Sequence, residues 1–379
     1  MSKSLALISG KGGSGKTTLS LSIASLLSKC GLKVLLIDCD IATNGATYFY
    51  ENKLENSSIS FTSFYEILTS KFDTCNFMQI SDNFYFLPSI KNIKNESLLS
   101  SIVELYFEST KNNFEMFYNS NRELFDIILF DCQAGYSELL KIILPNSDIN
   151  LAVMEADAIS SSAMRSLYLK IGNIISNKKI FQVFNKVNEE EYNIYSKISG
   201  GTVFTNIEAI KFDWTIRKSF AVSQVPDLTN TSSNFGQQVF NICNIFCNIL
   251  FNESEQLNKL NSYKTHLDIA IMDETIEKLE MRIEELRNER RATSNKLIKT
   301  IYVFLLPIVF TTVFLSLYLI LDMKYEWSFI TTIFVSVFSL MIMLINLFET
   351  IKNRQDKNSE IVKLQKELDK LNKDLNRIQ

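Results

Sequence analysis

The nonapeptide Gly10-Lys11-Gly12-Gly13-Ser14-Gly15-Lys16-Thr17-Thr18 constrains this chain more than any other stretch of it. It follows an apolar run, Leu5–Ser9, that reads as a buried strand, and it opens a segment, Thr17–Lys29, of helical periodicity. A strand, a glycine-rich turn and a helix in that order are the setting in which G-x-x-x-x-G-K-[ST] forms a phosphate cradle. The residue types follow from the chemistry. Gly12, Gly13, Ser14 and Gly15 let successive backbone N–H groups curl around phosphate oxygens, and the helix N-terminus adds its dipole. Lys16 is expected to reach the β- and γ-phosphates, and the Thr17 hydroxyl to ligate Mg²⁺.

The rest of the first 251 residues suits that cradle. Apolar runs at Lys33–Asp38, Phe84–Leu87, Asp126–Asp131, Asn150–Glu155 and Ile180–Asn185 read as buried strands. Helical segments such as Ser137–Leu144 and Ser160–Ile174 separate them. Such alternation implies an α/β fold, with a mostly parallel sheet flanked by helices on both faces. Residues 52–121, rich in Asn, Ser and Phe, read as variable helices around the Phe84–Leu87 strand. At 379 residues the chain has room for one full-sized domain and more, and 46% apolar residues exclude wholesale disorder. A net charge of −3 gives no overall basic field, and residues 1–250 hold no strong basic cluster, so DNA is a disfavoured partner. The single histidine, His266, excludes multi-His metal sites and His-based triads away from itself. The six cysteines show no disulfide-scaffold spacing, and no signal peptide precedes the first motif, which points to a reducing compartment.

Beyond residue 252 the pattern changes to continuous helix. Ile269, Met272, Ile276, Leu279, Ile283 and Leu286 fall alternately three and four apart, and Ile361, Leu364, Leu368, Leu371, Leu375 and Ile378 repeat the rhythm. Between these heptad segments lie two runs without a charged residue, Thr300–Leu321 and Trp327–Phe348. About 22 residues of helix span roughly 33 Å, a bilayer's hydrocarbon thickness. The expected organisation is therefore a domain at 1–251, a heptad helix at 252–299, transmembrane helices at 300–321 and 327–348, and a second heptad helix at 349–379. Arg287, Arg290, Arg291, Lys296 and Lys299 before the first span, and Lys352, Arg354 and Lys357 after the second, place both termini in the cytoplasm by the positive-inside rule. The heptad segments would then emerge side by side, placed to zip into a stalk within one chain or across a dimer.

The second lysine of the turn, Lys11, makes it resemble the deviant Walker A motif, KGGxGKT[TS], of the ParA/MinD family of ATPases. The resemblance runs on through Asp38-Cys39-Asp40 and Asn44-Gly45-Ala46-Thr47, then FYFLPS at Phe84–Ser89 and FDIILFDCQAG at Phe125–Gly135. It continues through Ser147–Ala156, Phe184-Asn185-Lys186 and DWTIRKSFAVSQVP at Asp213–Pro226, so that it covers about residues 1–250 in order. It implies an ATP-sandwich homodimer in which Lys11 crosses to the partner's phosphates. It further implies that Asp40 orients the attacking water and helps at the metal, that Asp131 holds Mg²⁺ through a water, and that Thr18 contacts the α-phosphate. Asn185 would read adenine, with Pro226 in the loop beside it, and Asp38 would support the site from behind. One departure stands out: Cys132-Gln133-Ala134 replace the small residue and proline that the family has after its aspartate. Cys132 reads as a buried structural cysteine, and Cys243 and Cys247, four apart, as core packing.

These readings combine into an expected function. The chain would be a membrane-anchored ATPase of the inner membrane, using ATP and Mg²⁺ and switching its contact with an unidentified protein partner. The alternative is a nucleotide-gated membrane effector whose hairpins oligomerise and perturb the bilayer. A tyrosine autokinase is a third reading, disfavoured because residues 363–379 hold no tyrosine cluster.

Overall fold

Among the described residues, eight strands form one sheet in the order β3-β4-β2-β5-β1-β6-β7-β8. They are β1 (Lys3–Ile8), β2 (Val34–Cys39), β3 (Met78–Ser81), β4 (Phe84–Leu87), β5 (Ile127–Cys132), β6 (Ile149–Glu155), β7 (Ile180–Val187) and β8 (Phe204–Lys211). Among the described residues, only the β3–β4 pair is antiparallel. The computed structural model describes residues 2–56, 60–70, 75–91, 106–175, 178–195, 204–225, 234–251, 255–321 and 326–378. Two compact units result, residues 1–267 and 268–379.

Within the first unit the connecting helices are α1 (Lys16–Lys29), α2 (Gly45–Phe49), α3 (Glu51–Glu55), α4 (Phe64–Thr69), α5 (Phe107–Asn121), α6 (Leu139–Asn146), α7 (Ala158–Ile171), α8 (Glu189–Tyr195), α9 (Trp214–Ala221) and α10 (Asn234–Phe251). The central strands are buried on both faces: every residue of β2 and β5 is buried, as are Leu5, Ala6, Leu7 and Ile8 of β1. That is why their sequences are unbroken apolar runs rather than alternating ones. α1 starts at Gly15, whose left-handed φ of 88° turns the chain out of the phosphate loop, and stops at Gly31, again left-handed at 82°.

The sheet is wider than the sequence predicted. β3 and β8 are its two edges, and neither reads as a strand from its residues. β3 forms a hairpin with β4 across Asp82-Asn83, where Asn83 takes a φ of 60°. β8 carries register irregularities against β7 at two places. Cys243 and Cys247 are fully buried in the core, and Cys132 is too.

In the second unit, the helices α11 (Glu255–Leu321, which begins in the first unit) and α12 (Glu326–Ile378) bring the two heptad segments together within one chain. Ile283, Leu286 and Leu368 are buried in the seam, and Arg290 Nη1 donates to Asn358 Oδ1 at 2.9 Å across it. Lys357 pairs with Glu289 at 2.9 Å, and Arg287 Nη2 donates to Gln365 Oε1 at 3.3 Å. The expected pair of transmembrane helices is not carried by the described residues: among them no helix is long and apolar enough to cross a membrane. Each apolar run is one stretch of a much longer helix with charged flanks, of 67 residues in α11 and 53 in α12. Residues 322–325, and many of the side chains in 300–348, lie outside the described residues.

Candidate functional site

The carboxyl ends of β1, β2 and β5 converge, and the site is built there, where ligands bind in open α/β sheets. β2 and β5 run in register, so Asp38 lies beside Asp131 and Cys39 beside Cys132. The loop from Gly10 to Gly15 leaves β1 and wraps a cavity of about 380 Å³ lined by Ser9, Gly12, Gly13, Ser14, Lys16, Thr17, Asp40, Thr43 and Gln133, among others. A second cavity, of about 440 Å³, shares Gly15, Thr18 and Lys186 with the first and continues past Asn185 to Phe212, Ile216 and Phe220. The first is walled by the glycine-rich loop with Lys16, the second by Leu19, Phe212, Ile216, Phe220 and Phe235 together with the charged Lys211, Asp213 and Arg217. One suits phosphates and the other a base.

Lys16 is buried and its ammonium donates to Asp131 Oδ1 at 2.9 Å. Burial alone would lower the lysine's pKa, but the charge and hydrogen bond of Asp131 outweigh it and hold the ammonium above its ordinary value. The other oxygen of Asp131, Oδ2, is buried with no hydrogen-bond partner. Asp38 accepts from Asp40 N at 3.1 Å and from Thr47 N and Oγ1 at 2.8 and 2.7 Å. Burial, and then the neighbouring charge of Asp131, push its carboxyl up to about 7. Thr47 also meets Ser89, which donates through Oγ to Asn44 Oδ1 at 2.6 Å. That buried chain of hydroxyls ties the ends of β2 and β4 to α2. Asp40 closes its own turn: Oδ1 accepts from Thr43 N at 2.9 Å and Ala42 N at 3.3 Å, and Oδ2 from Thr43 Oγ1 at 2.5 Å.

Two buried carboxylates, Asp40 and Asp131, therefore act on one buried ammonium, with Asp38 buried beside Asp131 in the neighbouring strand. That excess of negative charge, with an unpartnered oxygen on buried Asp131 and with Thr17 and Asp40 lining the cavity, fits a divalent cation that takes its remaining ligands from phosphate and water. Among the described residues no group of three or more His, Cys, Asp or Glu side chains is placed to hold a metal by itself.

Two expected site residues have partners within the chain that the sequence did not indicate. Asn185 Nδ2 donates to Ser14 O at 2.8 Å and its Oδ1 accepts from Lys186 N, so the side chain braces the phosphate loop while lining the second cavity. A Cβ on Gly15 would come within 2.1 Å of that Nδ2, which explains a glycine there beyond its left-handed φ. Lys11 is held by its own chain: its ammonium pairs with Glu155 at 3.0 Å and Asp157 at 3.3 Å. Pro226 lies outside the described residues. Thr18 lines both cavities.

Glu155, Asp157 and Lys186 were not singled out as site residues by the sequence. Glu155 ends β6 and receives both Lys11 and Lys186; partial burial pushes its carboxyl up, but those two ammonium groups hold it below its ordinary value. Asp157 caps α7 through Ser160 N and Oγ, bonds that with Lys11 hold it down to about 2. Lys186, with φ at 60°, donates to the Gly13 carbonyl. The only signal for these roles was adjacency, since Lys186 follows Asn185 and Glu155 ends a strand.

Residues 2–183 match a family model described as an AAA domain. An uncharacterized ATP-binding protein of Methanocaldococcus jannaschii is 27% identical over 194 residues, covering 50% of this chain and 66% of that one. An uncharacterized protein of Borreliella burgdorferi is 41% identical over 90 residues, 23% of this chain and 34% of that one. The chain spans from a third to two thirds of the length of the curated relatives it matches. Among solved structures, a protein described as a plasmid partition protein of Borrelia burgdorferi, bound to AMPPNP, superposes with a TM-score of 0.56 at 21% identity, over 66% of this chain and 100% of that one. The septum site-determining protein MinD of Pyrococcus horikoshii, complexed with Mg-ADP, superposes with a TM-score of 0.51 at 17% identity, over 67% and 100%. Fold and phosphate loop together define an α/β P-loop fold, similar to that of these two nucleotide-bound proteins.

Proposed function

We propose that this chain is an ATP-hydrolysing switch that binds MgATP, closes as an ATP-sandwich homodimer and passes its nucleotide state to a protein partner. The observation that carries this reading is the pair of adjoining cavities, one walled by the phosphate loop and the other sharing Gly15, Thr18 and Lys186 with it and reaching Phe212 and Phe220. Nucleotides in two proteins of similar fold support it, AMPPNP in the Borrelia protein and Mg-ADP in MinD of Pyrococcus horikoshii. Thr17 and Asp131 would hold Mg²⁺, which when bound neutralises charge on the β- and γ-phosphates. Lys16 would leave Asp131 for those phosphates, and Thr18 would meet the α-phosphate.

Lys11 fits the cross-subunit role as a group already near the loop and held weakly. Its pairs with Glu155 and Asp157 are partly exposed, with 31% of the lysine side chain accessible, and pairs of that kind are readily exchanged. A partner's triphosphate offers a denser charge than two carboxylates shared with water. The test compares Lys11→Ala with Lys16→Ala in the full chain. Both are expected to lose turnover, while Lys11→Ala keeps mononucleotide binding and fails to dimerise with ATP by light scattering. Normal hydrolysis by Lys11→Ala would remove the cross-subunit role.

A bilayer site for the second unit is supported by the sequence of 300–321 and 327–348 and by exposed apolar side chains within both runs. Tyr302 is 69% exposed, Val303 67%, Phe334 75% and Phe348 74%. Isolated exposed apolar residues are ordinary, but a run of them without charge is not, and lipid is the medium that accepts it. The full chain is expected to float with liposomes and to resist alkaline carbonate extraction, and Val309→Asp with Phe338→Asp to remain in the soluble fraction. Recovery of the unaltered chain in the soluble fraction would overturn the attachment. Conductance across those liposomes that rises on ATP addition would favour the membrane-effector reading over the switch.

A further inference from the structure

The turn after Asp131 is where the chain departs from the ParA/MinD pattern, and the structure gives the inserted glutamine a definite place. Cys132 ends β5 and is fully buried. The next residue, Gln133, is half-buried and lines the phosphate cavity with Lys16, Thr17, Asp40 and Thr43. Its backbone is held from both sides. β5 fixes the residue before it, and Gly135, with φ at 76°, donates its N–H to the Ser9 carbonyl at 2.8 Å. Among the described residues no hydrogen bond holds the Gln133 carboxamide itself.

Across the cavity, Asp40 is largely committed. A carboxylate presents about four lone-pair directions. Those of Asp40 already receive Ala42 N, Thr43 N and Thr43 Oγ1, which leaves one for a water molecule. A water held by a single hydrogen bond swings about it, and in-line attack on phosphorus needs a fixed direction. The second hold must be uncommitted, must face the same cavity and must both accept and donate. Gln133 has these properties.

We propose that Gln133 is a catalytic residue for ATP hydrolysis, its carboxamide oxygen accepting a hydrogen bond from the attacking water and its NH₂ group donating to a γ-phosphate oxygen. The assignment rests on the ATPase reading above. In the step, the water oxygen forms a bond to the γ-phosphorus. The bond from that phosphorus to the β–γ bridging oxygen breaks, and its electron pair leaves with ADP. The proton given up by the water ends on inorganic phosphate. A carboxamide takes no proton at neutral pH, so its part is to aim the water and to meet charge that develops on the phosphoryl oxygens. A neutral glutamine serves the same need at other phosphoryl-transfer sites.

The experiment uses the full chain and two variants, Gln133→Ala and Gln133→Glu, with phosphate release measured under saturating MgATP and AMPPNP affinity measured separately. Loss of one such contact is expected to lower kcat about a hundredfold. The AMPPNP Kd and the thermal midpoint should stay within about twofold and a few degrees of the parent, since the side chain holds nothing in the free protein. Gln133→Glu keeps the size and an acceptor but turns a negative charge toward the γ-phosphate, and it too is expected to be slow while binding AMPPNP. Parental kcat in Gln133→Ala overturns the assignment alone. So does a fall in kcat matched by an equal loss of AMPPNP affinity, because that is the signature of a structural residue. Absence of phosphate release from the parent chain overturns the ATPase reading and this assignment together.

Discussion

Gly10→Ala is expected to destabilise the first unit by about 3 kcal/mol or more, while Gly12→Ala, two residues away in the same loop, leaves stability near the parental value. A Cβ at position 10 would lie 2.4 Å from both Ala163 C and Met164 N, and 2.8 Å from Ala163 O. All three are backbone atoms in the middle of α7, so no rotamer change relieves the overlap. The helix cannot simply retreat, because Met164, Leu167 and Ile171 on the same face are buried in the core and Asp157 fixes its first turn. Overpacking a core with side-chain atoms typically costs about 1–3 kcal/mol, and rigid backbone on the far side puts this case at or above the top of that range. Domains of this size have only about 5–15 kcal/mol in hand. A Cβ on Gly12 meets nothing within 4 Å. Urea unfolding of the two variants checks the contrast. Equal midpoints for Gly10→Ala and the parent would mean that α7 does not sit against the loop.

That contact also marks the limit of what the sequence made legible. Gly10 reads as part of a phosphate motif, and nothing in the linear order shows that a helix 150 residues later leans on it. Strands buried on both faces, β1, β2, β5 and β6, are plain in the sequence because burial on both sides forces an apolar run. The edges are not. β8 reads Phe-Thr-Asn-Ile-Glu-Ala-Ile-Lys, with only Glu208, Ala209 and Ile210 buried, and β3 has four residues with a single buried one. An edge strand pairs on one side and tolerates polar residues, so its composition resembles a loop. The candidate site divides in the same way. Motif order named Lys16, Thr17, Asp38, Asp40 and Asp131, and the structure gathers them at one end of the sheet because the carboxyl ends of adjacent parallel strands meet by topology. The partners of Lys11 escaped because they come from β6 and the cap of α7, elements with no motif of their own. Asn185 was recognised as a site residue, but its bond to Ser14 O depends on how closely β7 approaches the loop, which no local pattern records.

Lys16→Met and Asp131→Leu are each expected to destabilise the nucleotide-free protein strongly, and the double variant to recover most of the loss without recovering activity. The pair is buried, with Lys16 5% and Asp131 0% exposed, and its N–O separation is 2.9 Å. Removing Asp131 strands an ammonium that burial already penalises, with the weaker charge effect of Asp40 left to answer it. Removing Lys16 strands Asp131 beside Asp38 in the neighbouring strand. Breaking one side of a buried ion pair typically costs about 3–5 kcal/mol, whereas replacing both partners by apolar groups of similar volume is often close to neutral. The excess of the two single losses over the double loss is therefore the quantity to measure, by urea unfolding of the four chains without nucleotide. Losses that simply add would show that the ion pair contributes nothing as a pair and that each side chain acts through packing alone. The double variant separates two demands placed on the same residues. The fold needs the two charges only because they answer each other. If the proposed chemistry is right, hydrolysis needs them apart, with Lys16 on phosphate and Asp131 at the metal. An apolar pair that restores stability while phosphate release stays abolished would show that the buried salt bridge belongs to the site rather than to the core.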